Sequence, residues 1–195
     1  MTTEPLLQPT LWRTCRVLAN RTRLRIFGLL VQHSPQTVSA LAGRLQLSVP
    51  VACQSLRALE ARGLLTARRT GRLVHYRLST TTAGTVHELV APLRAAFQRG
   101  PSSVNTLFRL ATAFTHPRRI DIFRTLQTGA GTLRQIQAAT RIPNPSLSRH
   151  LGKLEVRGFV ACRGRIYSAT TPPEEFGRAL ARVAAQGDHT LQSVE

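Results

Sequence analysis

The second half of the chain repeats the first, and that repetition constrains the fold more than any other feature. Displaced by 96 residues, Leu11 falls on Leu107, Arg13 on Arg109, Arg23 on Arg119, Ile26-Phe27 on Ile122-Phe123 and Leu30 on Leu126. One residue is then lost, and at a displacement of 95 Thr37 meets Thr132, Leu56 meets Leu151 and Leu59 meets Leu154. The same displacement lays Glu60-Ala61-Arg62-Gly63 on Glu155-Val156-Arg157-Gly158, and Arg68 on Arg163. Tyr76 matches Tyr167 at 91, so the second copy is four residues shorter just before that tyrosine. Ordered matches separated by small deletions mark a duplicated unit, and a fold read for one copy must hold for both.

Each copy carries the same series of local signals. An apolar-periodic helix (about 8–19, then about 103–115) precedes a second (about 21–32, then about 117–127). Thr37 and Thr132 are good N-caps for a short third helix, with Val38, Leu41 and Leu45, or Leu133 and Ile136, on one face. A tight connection leads to the segments "VACQSLRALEARG" and "SLSRHLGKLEVRG", each stopped by a glycine, Gly63 or Gly158. A two-stranded hairpin follows, "LLTARRTGRLVHYRL" turning at Thr70-Gly71 and "FVACRGRIYSA" turning near Gly164. A last helix closes each copy, at about 82–98 and about 172–186. The expected fold is mainly α with small β-hairpin wings: tandem winged helix-turn-helix domains. The Gly/Pro/Ser-rich stretch "RGPSSV" sets the boundaries at 1–99 and 105–195, with 100–104 as linker.

The helix at 146–158 has two faces. At ~100° per residue, Leu147, Leu151 and Leu154 form one stripe, while Pro145, Arg149 and Lys153 point away from it, flanked by Ser146 and Gly152. In a helix-turn-helix the outward face lies in the major groove of double-stranded DNA, where Arg pairs bidentately with guanine and Ser or Asn contacts bases or phosphates. The candidate base-reading residues are Asn144, Ser146, Ser148, Arg149, His150 and Lys153, with Gln54 and Arg57 from the first copy. On an isolated helix such a face would be merely solvated. Charge argues for more. The 195 residues hold 27 basic against 9 acidic side chains, a net +18, shared as +11 and +7 about Gly100. A field of that sign and spread favours a polyanion. The ratio of 26 Arg to 1 Lys also follows genome composition, which does not account for the scarcity of acids. Arg68, Arg69 and Arg72 flank the first hairpin turn, and Arg163 and Arg165 the second. They suit DNA backbone contacts, and equally protect an edge strand by charge.

These segments resemble the ArsR-type winged-helix regulators. "VLANRTRLRIFGLL" and "FTHPRRIDIFRTL" are similar to that family's second-helix signature. "TVSALAGRLQLSVPVACQSLRALEARGLL" and "TLRQIQAATRIPNPSLSRHLGKLEVRGFV" resemble its helix-turn-helix, and "RRTGRLVHYRL" its wing. The resemblance spans nearly the whole chain and implies a prokaryotic transcription factor, most often a repressor, dimerising through first and last helices. In many members an inducer releases DNA, so an unknown small-molecule or protein effector is implied. Family proteins usually carry one winged helix per chain. Two copies in one chain form either an intramolecular pseudo-dimer or a homodimer of tandems.

Other departures bear on function. The third helix "TVSALAGRL" lacks the cysteines of the family's metal sensors. His87 and Glu88, or Asp188, His189 and Glu195, lack the spacing of its last-helix sites, so no metal and no cofactor are expected. Cys15, Cys53 and Cys162 are odd in number and read as small buried residues rather than a disulfide framework. Where the second copy has Asn144, Ser146, Ser148, Arg149 and His150, the first has Val49, Val51, Cys53, Gln54 and Ser55. Val49, Pro50 and Val51 meet thymine methyls, dock a partner, or signify weak base reading. The second copy is thus expected to read bases while the first, with its longer basic wing, supplies phosphate contacts. No Gly-rich phosphate loop or nucleophile elbow is present, so no enzyme is expected. No apolar run is long enough to span a membrane, and the expected setting is a prokaryotic cytoplasm and its nucleoid. The rival readings are a protein- or RNA-binding adaptor and an architectural DNA-binding protein without sequence preference.

Overall fold

The computed structural model describes residues 10–80, 84–100 and 103–186. The first copy runs α1 (Leu11–Leu18), α2 (Arg21–Gln32), β1 (Gln36–Thr37), α3 (Val38–Leu45), α4 (Val49–Glu60), β2 (Leu65–Thr70), β3 (Leu73–Leu78) and α5 (Gly84–Gln98). The second runs α6 (Ser103–Ala111), a 3₁₀ turn (Thr112–Phe114), α7 (Pro117–Thr128), β4 (Gly131–Thr132), α8 (Leu133–Thr140), α9 (Asn144–Glu155), β5 (Val160–Arg163), β6 (Ile166–Ala169) and α10 (Glu175–Gln186). This is a tandem winged helix-turn-helix. α6 begins inside the expected 100–104 linker, of which 101–102 lie outside the described residues.

Local chemistry starts and stops these helices as the sequence demands. Thr37 accepts from the Ala40 amide, and Thr132 forms a full capping box with Gln135. At the end of α4 the Leu64 amide donates to the Leu59 carbonyl and Gly63 to Glu60; Phe159 with Leu154 and Gly158 with Glu155 repeat the pattern after α9. That paired bonding is the Schellman motif, whose hinge residue sits in the left-handed region. Gly63 and Gly158 are there, at φ of 69° and 81°.

Two expectations about the wings are corrected. Each sheet has three antiparallel strands, in the order β1-β3-β2 and β4-β6-β5, not two. The N-cap threonines explain the extra strand. An N-cap is extended by necessity, so Thr37 and Thr132 lie alongside the hairpin, opposite His75 and Ile166. The first turn is also one residue further on than Thr70-Gly71. Thr70 pairs with Leu73, leaving Gly71 and Arg72 as the central pair. In the second wing Gly164 and Arg165 both have positive φ, 54° and 70°, the requirement of a type I′ turn.

One buried cluster runs through both copies. In the second, Phe114, Phe123 and Phe159 meet edge-on, with centroids 4.8 to 6.0 Å apart. α5 lies along α10, α1 lies against the 3₁₀ turn and α6, and α2 also meets α6. Arg21 reinforces that last contact, donating through Nε to Asn105 at 3.1 Å with its guanidinium 4.0 Å from the Phe108 ring centre. Arg99 pairs with Glu175 across α5 and α10 at 3.4 Å. The first and last helices of the two copies thus pack on one another, whereas α4, α9 and the wings pack chiefly within their own copies.

Candidate nucleic-acid interface

α4 and α9 have twelve residues each and present equivalent positions 95 residues apart. In α9, Leu147, Leu151 and Leu154 are buried, and full burial of such side chains contributes roughly 1.5–3 kcal/mol each. That fixes which face turns outward. Asn144, Pro145, Ser148, Arg149 and Lys153 are exposed, whereas Ser146 and His150 are half-buried. In α4 the buried residues are Ala52, Ser55, Leu56 and Leu59, and the outward face carries Val49, Pro50, Val51, Gln54 and Arg57.

His150 stands apart from its neighbours. Its ring packs on that of His116, the N-cap of α7, with centroids 4.9 Å apart. Burial, then the charges of His116, Arg119, Lys153 and Arg118, pushes its pKa down to about 4. His116 is lowered too, first by desolvation and then by Arg119 and Arg118. Beside them Arg119, buried, donates to the Thr112 carbonyl and to the Thr115 hydroxyl, tying α7 to the 3₁₀ turn.

The helix starts differ between copies. Ser48 caps α4, its Oγ accepting from the Val51 amide at 3.5 Å. Pro143 occupies the same place before α9 and offers no side-chain acceptor. A helix N-terminus without a side-chain cap keeps amide donors and a positive dipole end for an anion. Sequence reasoning overlooked the basic groups beside it. Arg134, Gln137, Ala138, Arg141 and Pro143 line an open cleft of about 510 Å³. The signal is present as the i, i+3, i+4, i+7 spacing of 134, 137, 138 and 141. Arg141 and its counterpart Gln46 both take left-handed backbone, at φ of 56° and 54°, to make the turn between the two helices.

Every wing arginine singled out in the sequence is exposed: Arg68, Arg69, Arg72, Arg163 and Arg165. Arg69 donates to the Gly71 carbonyl at 3.4 Å. Arg77, overlooked in the sequence, donates to Thr66 on the neighbouring strand and lines a cleft with Pro35, Arg68, Thr70 and His75. The ion pairs among the described residues are Arg99–Glu175 and Arg109–Glu174, neither on a recognition helix nor on a wing. Among the described residues, no acid pairs with an arginine of a recognition helix or a wing.

The cysteines divide. Cys15 is fully buried, and burial pushes its thiol well up. Cys53 and Cys162 are only half-buried, correcting the expectation for those two. Asp188, His189 and Glu195 lie outside the described residues. Among the described residues no group of three or more His, Cys, Asp or Glu could hold a metal, and no helix is long and apolar enough to cross a membrane.

A family model described as a helix-turn-helix domain matches residues 18–68 and again 114–163, together more than half of the chain. No curated protein matches the chain. The matched regions hold α2, α3 and α4 in one copy and α7, α8 and α9 in the other. The chain belongs to the helix-turn-helix domain family and carries that domain twice, as befits a DNA-binding regulator in the general sense.

Proposed function

We propose that the protein is a sequence-specific, double-stranded-DNA-binding transcriptional regulator of the ArsR type, a repressor, acting in a prokaryotic cytoplasm on the nucleoid. The observation that carries this reading is the exposed polar face of α9, with Arg149 and Lys153 opposite a buried leucine stripe, in a protein whose wings expose arginines. Asn144, Ser146, Ser148, Arg149 and Lys153 read base edges, with Gln54 and Arg57 from α4. His150 contributes by fixing the approach of α9 to α7. Arg68, Arg69, Arg72, Arg163 and Arg165 contact the sugar-phosphate backbone, joined by Arg134 and Arg141.

The units proposed are 1–99 and 105–195 with 100–104 as linker, and they act as an intramolecular pseudo-dimer. The packing of α5 on α10, and of α1 on α6 and the 3₁₀ turn, supports that arrangement, because it uses first and last helices of both copies. The role is binding rather than catalysis, and an effector, where one acts, shifts the relation between the copies.

A mobility-shift titration on the DNA upstream of the protein's own gene, at several salt concentrations, tests the reading. Retention of specific fragments, weakening linearly in log salt, is expected. No shift, or one indifferent to salt, refutes DNA binding. Equal retention of any duplex refutes sequence preference and makes the protein architectural.

A further inference from the structure

Val49 and Val51 are 52% and 43% exposed in the first turn of α4, where α9 has Asn144 and Ser146. Valine is a poor residue for an exposed helical turn, since its branched Cβ loses rotamer freedom, and here about half of each side chain stays in water. Pro50 lies exposed between them, so the whole leading edge of the helix is apolar. From Val51 the outward face continues through Gln54 and Arg57 at intervals of three residues, and the first wing exposes Arg68, Arg69 and Arg72.

We infer that Val49 and Val51 read thymine 5-methyl groups in the major groove, making the first copy an A·T reader beside a second copy that reads guanine through Arg149. The inference rests on the DNA-binding function proposed above. The major-groove edge of an A·T pair combines a methyl group on thymine with a donor–acceptor pair on adenine. α4 offers the complement of both: branched methyls at its leading edge, and one turn later Gln54, whose amide suits adenine N6 and N7. Charge favours this occupant. An apolar edge on a helix that also exposes Arg57, in a copy whose wing exposes Arg68, Arg69 and Arg72, suits a groove between two phosphate chains, and two valines and a proline are far smaller than the ~800 Å² per partner of a stable protein interface. The operator is therefore asymmetric, with an A·T-rich half-site under α4 and a G-containing half-site under α9.

Uracil scanning tests this directly, since uracil differs from thymine only by the methyl. Duplexes selected from random DNA by the full-length protein are resynthesised with single dT-to-dU exchanges, and affinity is measured by fluorescence anisotropy. Each methyl met by a valine should account for about a four-fold loss, in one half-site only. The double variant V49N/V51S, which installs the second copy's residues at exposed positions, should bind thymine and uracil duplexes alike while keeping the Arg149-dependent preference. Indifference of the wild type to uracil throughout its site overturns the inference and leaves DNA binding standing. So does a uracil penalty that persists in V49N/V51S, because another group would then hold the methyl. A change of oligomeric state in V49N/V51S without altered DNA affinity assigns the patch to a protein partner and likewise overturns it. Failure to select any DNA refutes the function itself.

Discussion

Arg149 and Gln54 occupy equivalent outward positions on α9 and α4, and their side chains ask for different bases. Replacing Arg149 by Ala should relax preference at one base pair by about 1–3 kcal/mol, read by competition between cognate and singly altered duplexes. Replacing Arg69 and Arg72 should instead weaken all duplexes alike and lower the slope of log K against log salt by about one per lost contact. Equal, sequence-independent losses from both changes would remove the division of labour. The imidazoles make a separate prediction. The folded state resists protonating His150 until about pH 4, chiefly because the ring is desolvated against His116. The unfolded chain accepts that proton near ~6.5. The unfolded state therefore binds more protons between those values, and stability falls as pH drops from ~6.5 toward 4. Asp121 has a raised pKa through burial and works in the opposite sense. The comparison must therefore be with H150Q, whose melting temperature should fall less over the same range.

At the scale of elements, the wings and caps set where the arginines stand. Arg165 holds a left-handed conformation, φ 70°, at the tip of the second wing, where glycine or asparagine would sit without strain. Arg165→Gly should stabilise the fold by about 1 kcal/mol in thermal or urea unfolding, while reducing the salt slope of DNA binding. A gain of stability with unchanged DNA binding would show the arginine to be idle. Gly63→Ala and Gly158→Ala should each destabilise by about 1 kcal/mol or more, because the Schellman bonds after α4 and α9 require positive φ. A Cβ on Gly28 would approach the Phe97 ring to 2.6 Å. Phe97 is itself buried, so Gly28→Ala should lower stability by about 1–3 kcal/mol through overpacking where α2 meets α5.

The whole molecule has a core that does not stop at the boundary between copies. α5 on α10 and α1 on α6 bury the outer helices of each copy in those of the other, and Arg21 and Arg99 bridge the same seam. Calorimetry should therefore record one unfolding transition with equal calorimetric and van't Hoff enthalpies. Leu180→Ala in α10, a fully buried side chain, should lower that transition as a unit by about 2–5 kcal/mol. Two separate transitions, with only the second moved, would mean that the copies are energetically independent.

Much of this was legible along the chain, because the duplicated unit wrote its helix periods, threonine caps and glycine stops twice. Those are local signals: an N-cap or a left-handed glycine acts within a few residues, so the sequence alone determined two helix-turn-helix units and the outward face of α9. The third strand of each sheet was not legible, since Gln36-Thr37 and Gly131-Thr132 are too short for a period and become strands only by lying beside β3 and β6. Nor was the place of His150. Projection sets its ring at the margin of the buried stripe, ~60° from Leu147, but only α7 decides that His116 packs against it. Arg134 and Arg141 were passed over for the same reason, gaining meaning only where α8 meets the uncapped start of α9. Which groups a face offers is a property of spacing along the chain; which of them stay in water, and which neighbours they meet, was decided by the packing of elements distant in sequence.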